Sequence, residues 1–254
     1  MKFKTVKSTF VVGCGHSGTS LLIRILGEHS QIYAIPNETS IFFKKQKFLI
    51  FLKKQNLGEI SKQLDYFDKL TMTRGKTVWI EKTPRHVYHI NLIFKIRPEA
   101  KVIGITRDPR DVACSIKDRG LTFEAGILRW IKDNTALLKN KRENMLIVRL
   151  EDIIKHPKKN VEKILDFLEL PYENLLNFYL HPVDWYAQKV AVEKPADGIG
   201  TKNHRLLRNW QINQPMFKTT QRYTTDMTDK DKEIFATYAK EIDVLANQLG
   251  YYLE

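Results

Sequence analysis

The sequence has few cysteines, few acidic residues relative to basic ones, and no long apolar segment. Only Cys14 and Cys114 are present among 254 residues, which argues against a disulfide framework and suits a reducing compartment. No stretch of about 20 apolar residues occurs, and the basic N-terminus runs into a predicted strand without an apolar signal region. We therefore expect a cytoplasmic protein with no transmembrane segment.

The charge is strongly unbalanced toward positive residues. Lysine and arginine number 42 against 29 acidic residues, which gives a formal net charge of +13. Such a charge favours an anionic partner, such as a nucleic acid, an acidic glycan, a lipid surface or a phosphorylated cofactor. For the lysine runs alone, a basic solvated surface is the better interpretation. No nucleic-acid-binding motif is present, so we expect no nucleic-acid partner.

A glycine-rich segment, Gly13-Cys-Gly-His-Ser-Gly-Thr-Ser20, separates the first predicted strand from the first predicted helix. Its glycines allow close approach to a ligand, and Ser17 is a candidate cap for the helix. Free backbone N–H groups and the helix dipole would attract phosphate or sulfate. The segment matches half of the G-x-x-x-x-G-K-[ST] pattern, but Thr19 replaces the lysine, which argues against an NTPase. The alternative is a turn that binds nothing.

Short apolar runs alternate with helical patterns along most of the chain. This alternation predicts a P-loop-type three-layer α/β/α fold with a central parallel sheet. No linker divides residues 1–254, so we expect one domain with an irregular, lid-like segment at about 181–222. The predicted strands are 10–12, 31–36, 77–80, 101–106 and 145–150, and the predicted helices are 41–70, 87–96, 109–117, 123–141, 158–168 and 228–249.

The helical stretch at 41–70 mixes phenylalanines with lysines near its start. We interpret it as a core-facing helix with a lysine-rich outer face. Peripheral contact with a lipid surface is the alternative, because basic amphipathic helices bind membrane interfaces.

Polar segments also follow the later predicted strands. They are Asn37-Glu38-Thr39, Glu81-Lys82-Thr83-Pro84 and Arg107-Asp-Pro-Arg-Asp111. Because ligands bind parallel sheets beyond the carboxyl ends of the strands, we expect these segments to gather with the glycine-rich loop at one edge.

In this order, the four segments resemble those of sulfotransferases that use 3′-phosphoadenosine 5′-phosphosulfate (PAPS). The resemblance runs from about residue 10 to 170 and is thin thereafter. It implies that Arg107 and Ser115 take the 3′-phosphate, for which an arginine fork is well suited. It also implies a nucleotide contact from Lys202. The residues that would hold the 5′-phosphosulfate are Gly15, His16, Ser17, Gly18, Thr19 and Ser20.

The same resemblance implies two catalytic residues. Lys82 matches the lysine near the leaving phosphate, where a fixed cation stabilises developing charge; the alternative is a surface ion pair with Glu81. Pro84 stands where the small-molecule branch has its histidine base. Glu38 instead matches the general base of the glycan and tyrosylprotein branches, although it could simply be an acid at a helix N-terminus. His86 is the reserve candidate.

His16 departs from the family pattern, which usually has lysine or arginine at this position. A neutral imidazole carries no charge, whereas a protonated one would restore the cation. If His16 is neutral, Arg24 or the basic patch at 202–208 is expected to supply the charge. Trp210, at the end of that patch, is expected in the core rather than against adenine.

These residues predict transfer of a sulfuryl group from PAPS to an acceptor hydroxyl, which leaves adenosine 3′,5′-bisphosphate (PAP). No His/Cys cluster has metal-ligand spacing, so no metal is expected. The glutamate base and the positive charge favour a carbohydrate or another polar, anionic acceptor. Two alternatives stay open: a P-loop phosphotransferase, which would need a carboxylate for Mg²⁺, and a non-catalytic module that binds anionic glycans.

Overall fold

The computed structural model describes residues 6–43, 57–191, 193–195, 203–216 and 220–253. Five strands form one parallel sheet in the order β2-β3-β1-β4-β5. The predicted parallel sheet is confirmed, and the polar segments that follow its strands meet at one edge. The strands are β1 (Lys7–Gly13), β2 (Ile32–Ala34), β3 (Val78–Lys82), β4 (Lys101–Thr106) and β5 (Met145–Arg149).

Helices cover both faces of the sheet. Residues Pro84–His89 and Phe178–Leu180 form short 3-10 helices. The α-helices are α1 (Thr19–Leu26), α2 (Leu57–Thr73), α3 (Ile90–Ile96), α4 (Pro109–Lys117), α5 (Phe123–Lys139), α6 (Leu150–Lys155), α7 (Pro157–Leu168), α8 (Asn203–Ile212), α9 (Tyr223–Asp226), α10 (Asp229–Thr237) and α11 (Ala239–Gln248).

The strands are apolar over most of their length because both faces of the sheet are buried. Alternate side chains of β1 point to opposite layers, so Phe10 and Val12 pack with α2 and α3, whereas Val11 packs with α1 and α7. Trp79 of β3 joins the first layer, and Ile80 joins the second. This arrangement confirms the predicted three-layer α/β/α fold.

Two of the predicted helices and the predicted irregular segment differ from the structure. Residues 41–43 form a turn rather than a helix, residues 44–56 lie outside the described part, and α2 begins at Leu57. The described helix α2 buries Ile60, Leu64 and Phe67 in the core, as the core-facing interpretation requires. The possible lipid-facing stretch falls largely within 44–56, so membrane contact stays a prediction.

The other two differences lie near the C-terminus. The predicted helix at 228–249 is two helices, α10 and α11, which are separated at Tyr238. At this point a β-branched residue is followed by an aromatic one, and both residue types have low helix propensity. The segment at 181–222, predicted to be irregular, contains the helix α8. Asn209 of α8 and Asn213, which follows the helix, bond to backbone groups of 183–189 and thereby fix this helix to the segment before it.

Both cysteines are buried free thiols, as expected from the sequence. Among the residues that the structure describes, no helix is long and apolar enough to cross a bilayer. A cytoplasmic location stays a prediction.

Candidate active site

The glycine-rich loop leads from β1 into α1 and lies against β4. Gly13 has φ +138°, and a Cβ there would lie 2.2 Å from the Ile105 carbonyl oxygen, so only glycine fits. Gly18, in the left-handed region, is the N-cap of α1 and has no side-chain cap. The predicted cap by Ser17 is therefore wrong, because its buried side chain precedes the cap by one residue. The first turn of α1 thus keeps backbone N–H groups available for an anion.

A cavity of about 350 Å³ opens beside this loop. Its volume is within the range of small-molecule sites. Three arginines, Arg119, Arg208 and Arg222, give the lining additional positive charge. Six predicted nucleotide-binding residues also belong to the lining, namely His16, Gly18, Thr19, Ser20, Arg107 and Ser115. Distant parts of the chain, predicted separately, therefore meet at one cavity.

The two residues predicted to take the 3′-phosphate lie directly above the loop. The Nη1 of Arg107 donates to the His16 carbonyl oxygen at 3.1 Å, and Nη2 lies 3.4 Å from Asp111. The Nδ1 of His16 lies 3.0 Å from Ser115 Oγ. Trp130 donates to the backbone oxygen of Arg107 at 2.7 Å and fixes the end of β4. This geometry holds a guanidinium and a hydroxyl at the cavity wall.

His16 carries no charge in this structure. Burial is the main cause that lowers its pKa to about 3, and nearby guanidinium groups, first that of Arg129, lower it further. Arg129 on α5 lies so close to the loop that a Cβ at Gly15 would be 2.5 Å from its Nη2. The cations around the loop therefore come from other elements.

Arg24 is not one of these cations. Its side chain is buried and donates to the backbone oxygens of Phe178 and His181, each at 2.5 Å. It also pairs with Glu28 at 2.5 Å. The expectation that Arg24 supplies charge to the loop is therefore wrong, since its donors hold the segment at 178–181 in place.

The two predicted catalytic residues form an ion pair beside the loop. The Nζ of Lys82 donates to Oε1 of Glu38 at 2.5 Å and to the Tyr186 hydroxyl at 3.0 Å. That hydroxyl lies 2.9 Å from Oγ of Ser20. Lys82 is 1% exposed, whereas about a third of the Glu38 side chain is exposed, so the carboxylate can be reached from solvent. The alternative pairing of Lys82 with Glu81 is wrong, because the adjacent Glu81 side chain points to the opposite side of β3.

Glu81 is fully buried and anchors the loop that carries Glu38. It accepts hydrogen bonds from Thr39 Oγ1 at 2.9 Å and Thr83 Oγ1 at 2.5 Å, and it lies 3.0 Å from Nδ1 of His86. Burial would raise the pKa of Glu81, but His86 and these hydrogen bonds outweigh burial and hold it below the usual range. His86, the reserve base, is thus buried against Glu81 and does not line the cavity.

The basic patch at 202–208 is only partly described. Lys202 lies outside the described residues, whereas Arg208 lines the cavity, and its Nη1 lies 3.6 Å from Oε1 of Glu38. Arg205 is exposed. Trp210 is half-buried and does not line the cavity, so it gives no support for adenine stacking.

Sequence reasoning did not identify Arg129 or Tyr186. Neither belongs to a segment that carries the family resemblance, and each meets the site only through contacts across the fold. Within the described ranges, no group of three or more His, Cys, Asp or Glu side chains is arranged to hold a metal ion.

Comparisons with known proteins assign the family. A family model described as "Sulfotransferase family" matches residues 8–174, and one described as "Sulfotransferase domain" matches residues 123–235. Since the first covers more than half of the chain, this protein belongs to the sulfotransferase family. An "Uncharacterized protein" of Aquifex aeolicus (strain VF5) is 26% identical over an alignment of 203 residues, which covers 67% of this chain. The match covers 26% of that relative, so the chain spans about a quarter of its length.

Solved structures share the fold. The "Sulfotransferase Domain from the Curacin Biosynthetic Pathway" has a TM-score of 0.60 at 17% identity and covers 99% of this chain and 100% of its own. The sulfotransferase domain from the Synechococcus PCC 7002 olefin synthase has a TM-score of 0.59 at 17% identity, with coverage of 94% and 97%. Mouse sulfotransferase SULT7A1, complexed with PAP, has a TM-score of 0.58 at 15% identity, with coverage of 96% and 88%.

Proposed function

We propose that this protein transfers a sulfuryl group from PAPS to an acceptor hydroxyl by in-line displacement. In this proposal residues 1–254 form one domain, in which the segment at 181–222 covers the nucleotide. The observation that carries the proposal is the position of the Glu38–Lys82 ion pair. The hydroxyl of Tyr186 connects this pair to Ser20 at the end of the glycine-rich loop.

The donor is assigned to the cavity beside the loop. Backbone N–H groups at the start of α1, with the Thr19 and Ser20 hydroxyls, would hold the 5′-phosphosulfate. Arg107 and Ser115 would take the 3′-phosphate. Since the pKa of His16 is strongly lowered, the guanidinium groups of Arg119 and Arg208 in the cavity lining support the binding of an anionic nucleotide in its place. Lys202 stays a candidate contact.

The proposed reaction needs a base near the acceptor oxygen and a cation near the leaving oxygen. The acceptor oxygen attacks sulfur while its proton passes to Glu38, and the bond from sulfur to the bridging oxygen breaks. That oxygen leaves with PAP and carries the developing negative charge, which the Lys82 ammonium stabilises. Little reorganisation is needed for the buried Lys82 to act in this role, because its hydrogen bonds to Glu38 and Tyr186 already fix its position.

The acceptor is proposed to be a carbohydrate or another polar, anionic molecule. Support comes from a glutamate rather than a histidine in the base position and from the net charge of +13. The partly exposed Glu38 is compatible with a large acceptor that approaches from solvent.

Calorimetric titration tests the donor assignment. We expect the full chain to bind PAP without metal, and we expect Ser115→Ala and Arg107→Gln to weaken binding by roughly 10-fold or more, because each removes a phosphate contact. Arg97→Ala is the matched control, since Arg97 pairs with Asp65 and Asp68 outside the cavity.

ATP with Mg²⁺ is titrated in parallel. Binding of ATP–Mg²⁺ without binding of PAP would contradict the proposal and favour a phosphotransferase. Equal loss of PAP affinity in Arg97→Ala would show that the anion binds by general charge rather than at this cavity.

A further inference from the structure

The hydroxyl of Tyr186 lies at a junction of the proposed reaction centre. It is 3.0 Å from Nζ of Lys82 and 2.9 Å from Oγ of Ser20. Its ring lies under two cations, with Nζ of Lys82 5.2 Å and Cζ of Arg208 5.6 Å from the ring centroid. One side chain therefore contacts the anion loop, the catalytic lysine and the cavity arginine.

Two hydrogen bonds fix the backbone at and before Tyr186. Its N–H donates to the carbonyl oxygen of Pro36 at 3.0 Å, at the start of the loop that carries Glu38. The residue has φ +56°, a left-handed conformation that a tyrosine keeps only where its surroundings demand it. The neighbouring Trp185 is buried, and its N–H donates to Asn209 of α8 at 3.0 Å. Tyr186 is 7% exposed.

The chemistry of the three groups determines the direction of the hydrogen bonds. An ammonium can only donate, so Lys82 donates to the Tyr186 oxygen. The tyrosine hydrogen is then available for Oγ of Ser20, which leaves the serine hydrogen free to point toward an anion in the loop. Of the three ammonium donors of Lys82, Glu38 and Tyr186 take two among the described residues. One donor is left for the bridging oxygen of the leaving group.

We propose that Tyr186 is a positioning residue for sulfuryl transfer, and that its hydroxyl orients both the Lys82 ammonium and the Ser20 hydroxyl toward the phosphosulfate. This inference rests on the proposed function. Tyr186 need not touch the acceptor, because it acts through two groups that face the donor. Removal of its hydroxyl should therefore slow the chemical step without lowering the affinity of the protein for the nucleotide.

The test compares Tyr186→Phe with the wild-type full chain. The reaction is transfer of the sulfuryl group of PAPS to water, in which a water oxygen attacks sulfur, the bond to the bridging oxygen breaks, and sulfate and PAP form. We expect kcat to fall roughly 10- to 100-fold in Tyr186→Phe, since slight misplacement of a catalytic group has effects of this size. KM for PAPS and the affinity for PAP should change by less than about threefold.

Tyr179→Phe is the matched control, because it removes a tyrosine hydroxyl from the short 3-10 helix that precedes the segment of Tyr186. The Tyr179 hydroxyl makes no hydrogen bond to a described residue, so its loss should leave kcat unchanged. A double-mutant cycle with Ser20→Ala adds a readout that a merely structural role would not change. If Tyr186 orients Ser20, the combined loss in kcat should be smaller than the product of the single losses.

Wild-type kcat in Tyr186→Phe would overturn the inference while leaving the proposed function intact. A fall in PAP affinity equal to the fall in kcat would also overturn it, because Tyr186 would then serve nucleotide binding. Failure of the wild type to bind PAP, or to form PAP from PAPS even when hydroxyl-bearing acceptors are present, would instead remove the proposed function, and this inference with it.

Discussion

The ammonium of Lys82 lies 2.5 Å from the carboxylate of Glu38, a residue 44 positions earlier in the chain. The two reach each other because β3 ends at Lys82 and lies beside β2, whose following loop carries Glu38. In the proposed reaction, one of these groups accepts the proton of the acceptor and the other stabilises the leaving oxygen. Their contact in this structure places both functions within one small region of the sheet edge.

Replacement of Glu38 by glutamine should slow sulfuryl transfer. The amide keeps the shape of the side chain but cannot serve as the base, so we expect kcat to fall roughly 10²- to 10⁴-fold. PAP affinity, measured by calorimetry, should change by less than about threefold. The control is Glu143→Gln, an exposed residue before β5. Retention of wild-type kcat in Glu38→Gln would exclude Glu38 as the base.

Arg208 and Arg205 on helix α8 offer a matched pair of variants. Arg208 lines the cavity and lies 3.6 Å from Glu38, whereas Arg205 is exposed. Arg208→Ala should weaken PAP binding roughly 10-fold, since it removes a cation from the anion site. Arg205→Ala should leave PAP affinity unchanged. The reverse order of effects would mean that the nucleotide contacts a different face of α8.

The buried Glu81 should matter for stability far more than an exposed acid does. Glu81→Gln breaks the contact with His86 and weakens the anchor of the Glu38 loop, at a cost of roughly 3–5 kcal/mol in the free energy of unfolding. Glu169→Gln removes an exposed ion pair with Lys7 and Lys101 and should cost less than about 1 kcal/mol. Urea denaturation measures both. Similar losses in the two variants would contradict the role assigned to Glu81.

The lowered pKa of His16 predicts a pH dependence of stability. The imidazole ordinarily titrates near pH 6.5 but in the folded protein has a pKa of about 3, so the unfolded chain binds the proton more tightly. The free energy of unfolding should therefore fall as the pH is lowered from about 6.5 toward 3. His16→Asn should show a shallower fall, measured by urea denaturation at about pH 7 and about pH 5. Identical pH dependence in both proteins would mean that folding does not lower the pKa of His16.

The sheet and the glycine-rich loop could be predicted from the sequence because local sequence patterns indicate them. A buried strand such as 101–106 is a short apolar run, and the residues after it keep their order along the chain. The parallel arrangement then places Glu38, Lys82 and Arg107 at one edge without further information. The cavity beside the glycine-rich loop lies at the same edge.

The contacts that complete the site could not be predicted in this way. Tyr186 meets Ser20 across 166 positions of sequence, and no periodic pattern encodes that distance. Arg129 reaches the loop from the middle of a helix whose pattern indicates only burial. Arg24 appeared suitable from its position near the loop, but the fold turns its donors toward two backbone oxygens at 178 and 181. Local propensity determines elements, whereas side-chain partners depend on tertiary packing.

The most direct test is to incubate the full chain with radiolabelled PAPS, with and without a panel of hydroxyl-bearing glycans and no added metal, and to measure labelled product together with PAP. The account predicts that PAP forms in step with labelled sulfate or labelled acceptor, and that Lys82→Ala slows this roughly 10²- to 10³-fold while it still binds PAP. Absence of PAP formation by a wild-type protein that binds PAP, or an undiminished rate in Lys82→Ala, would contradict sulfuryl transfer at this site.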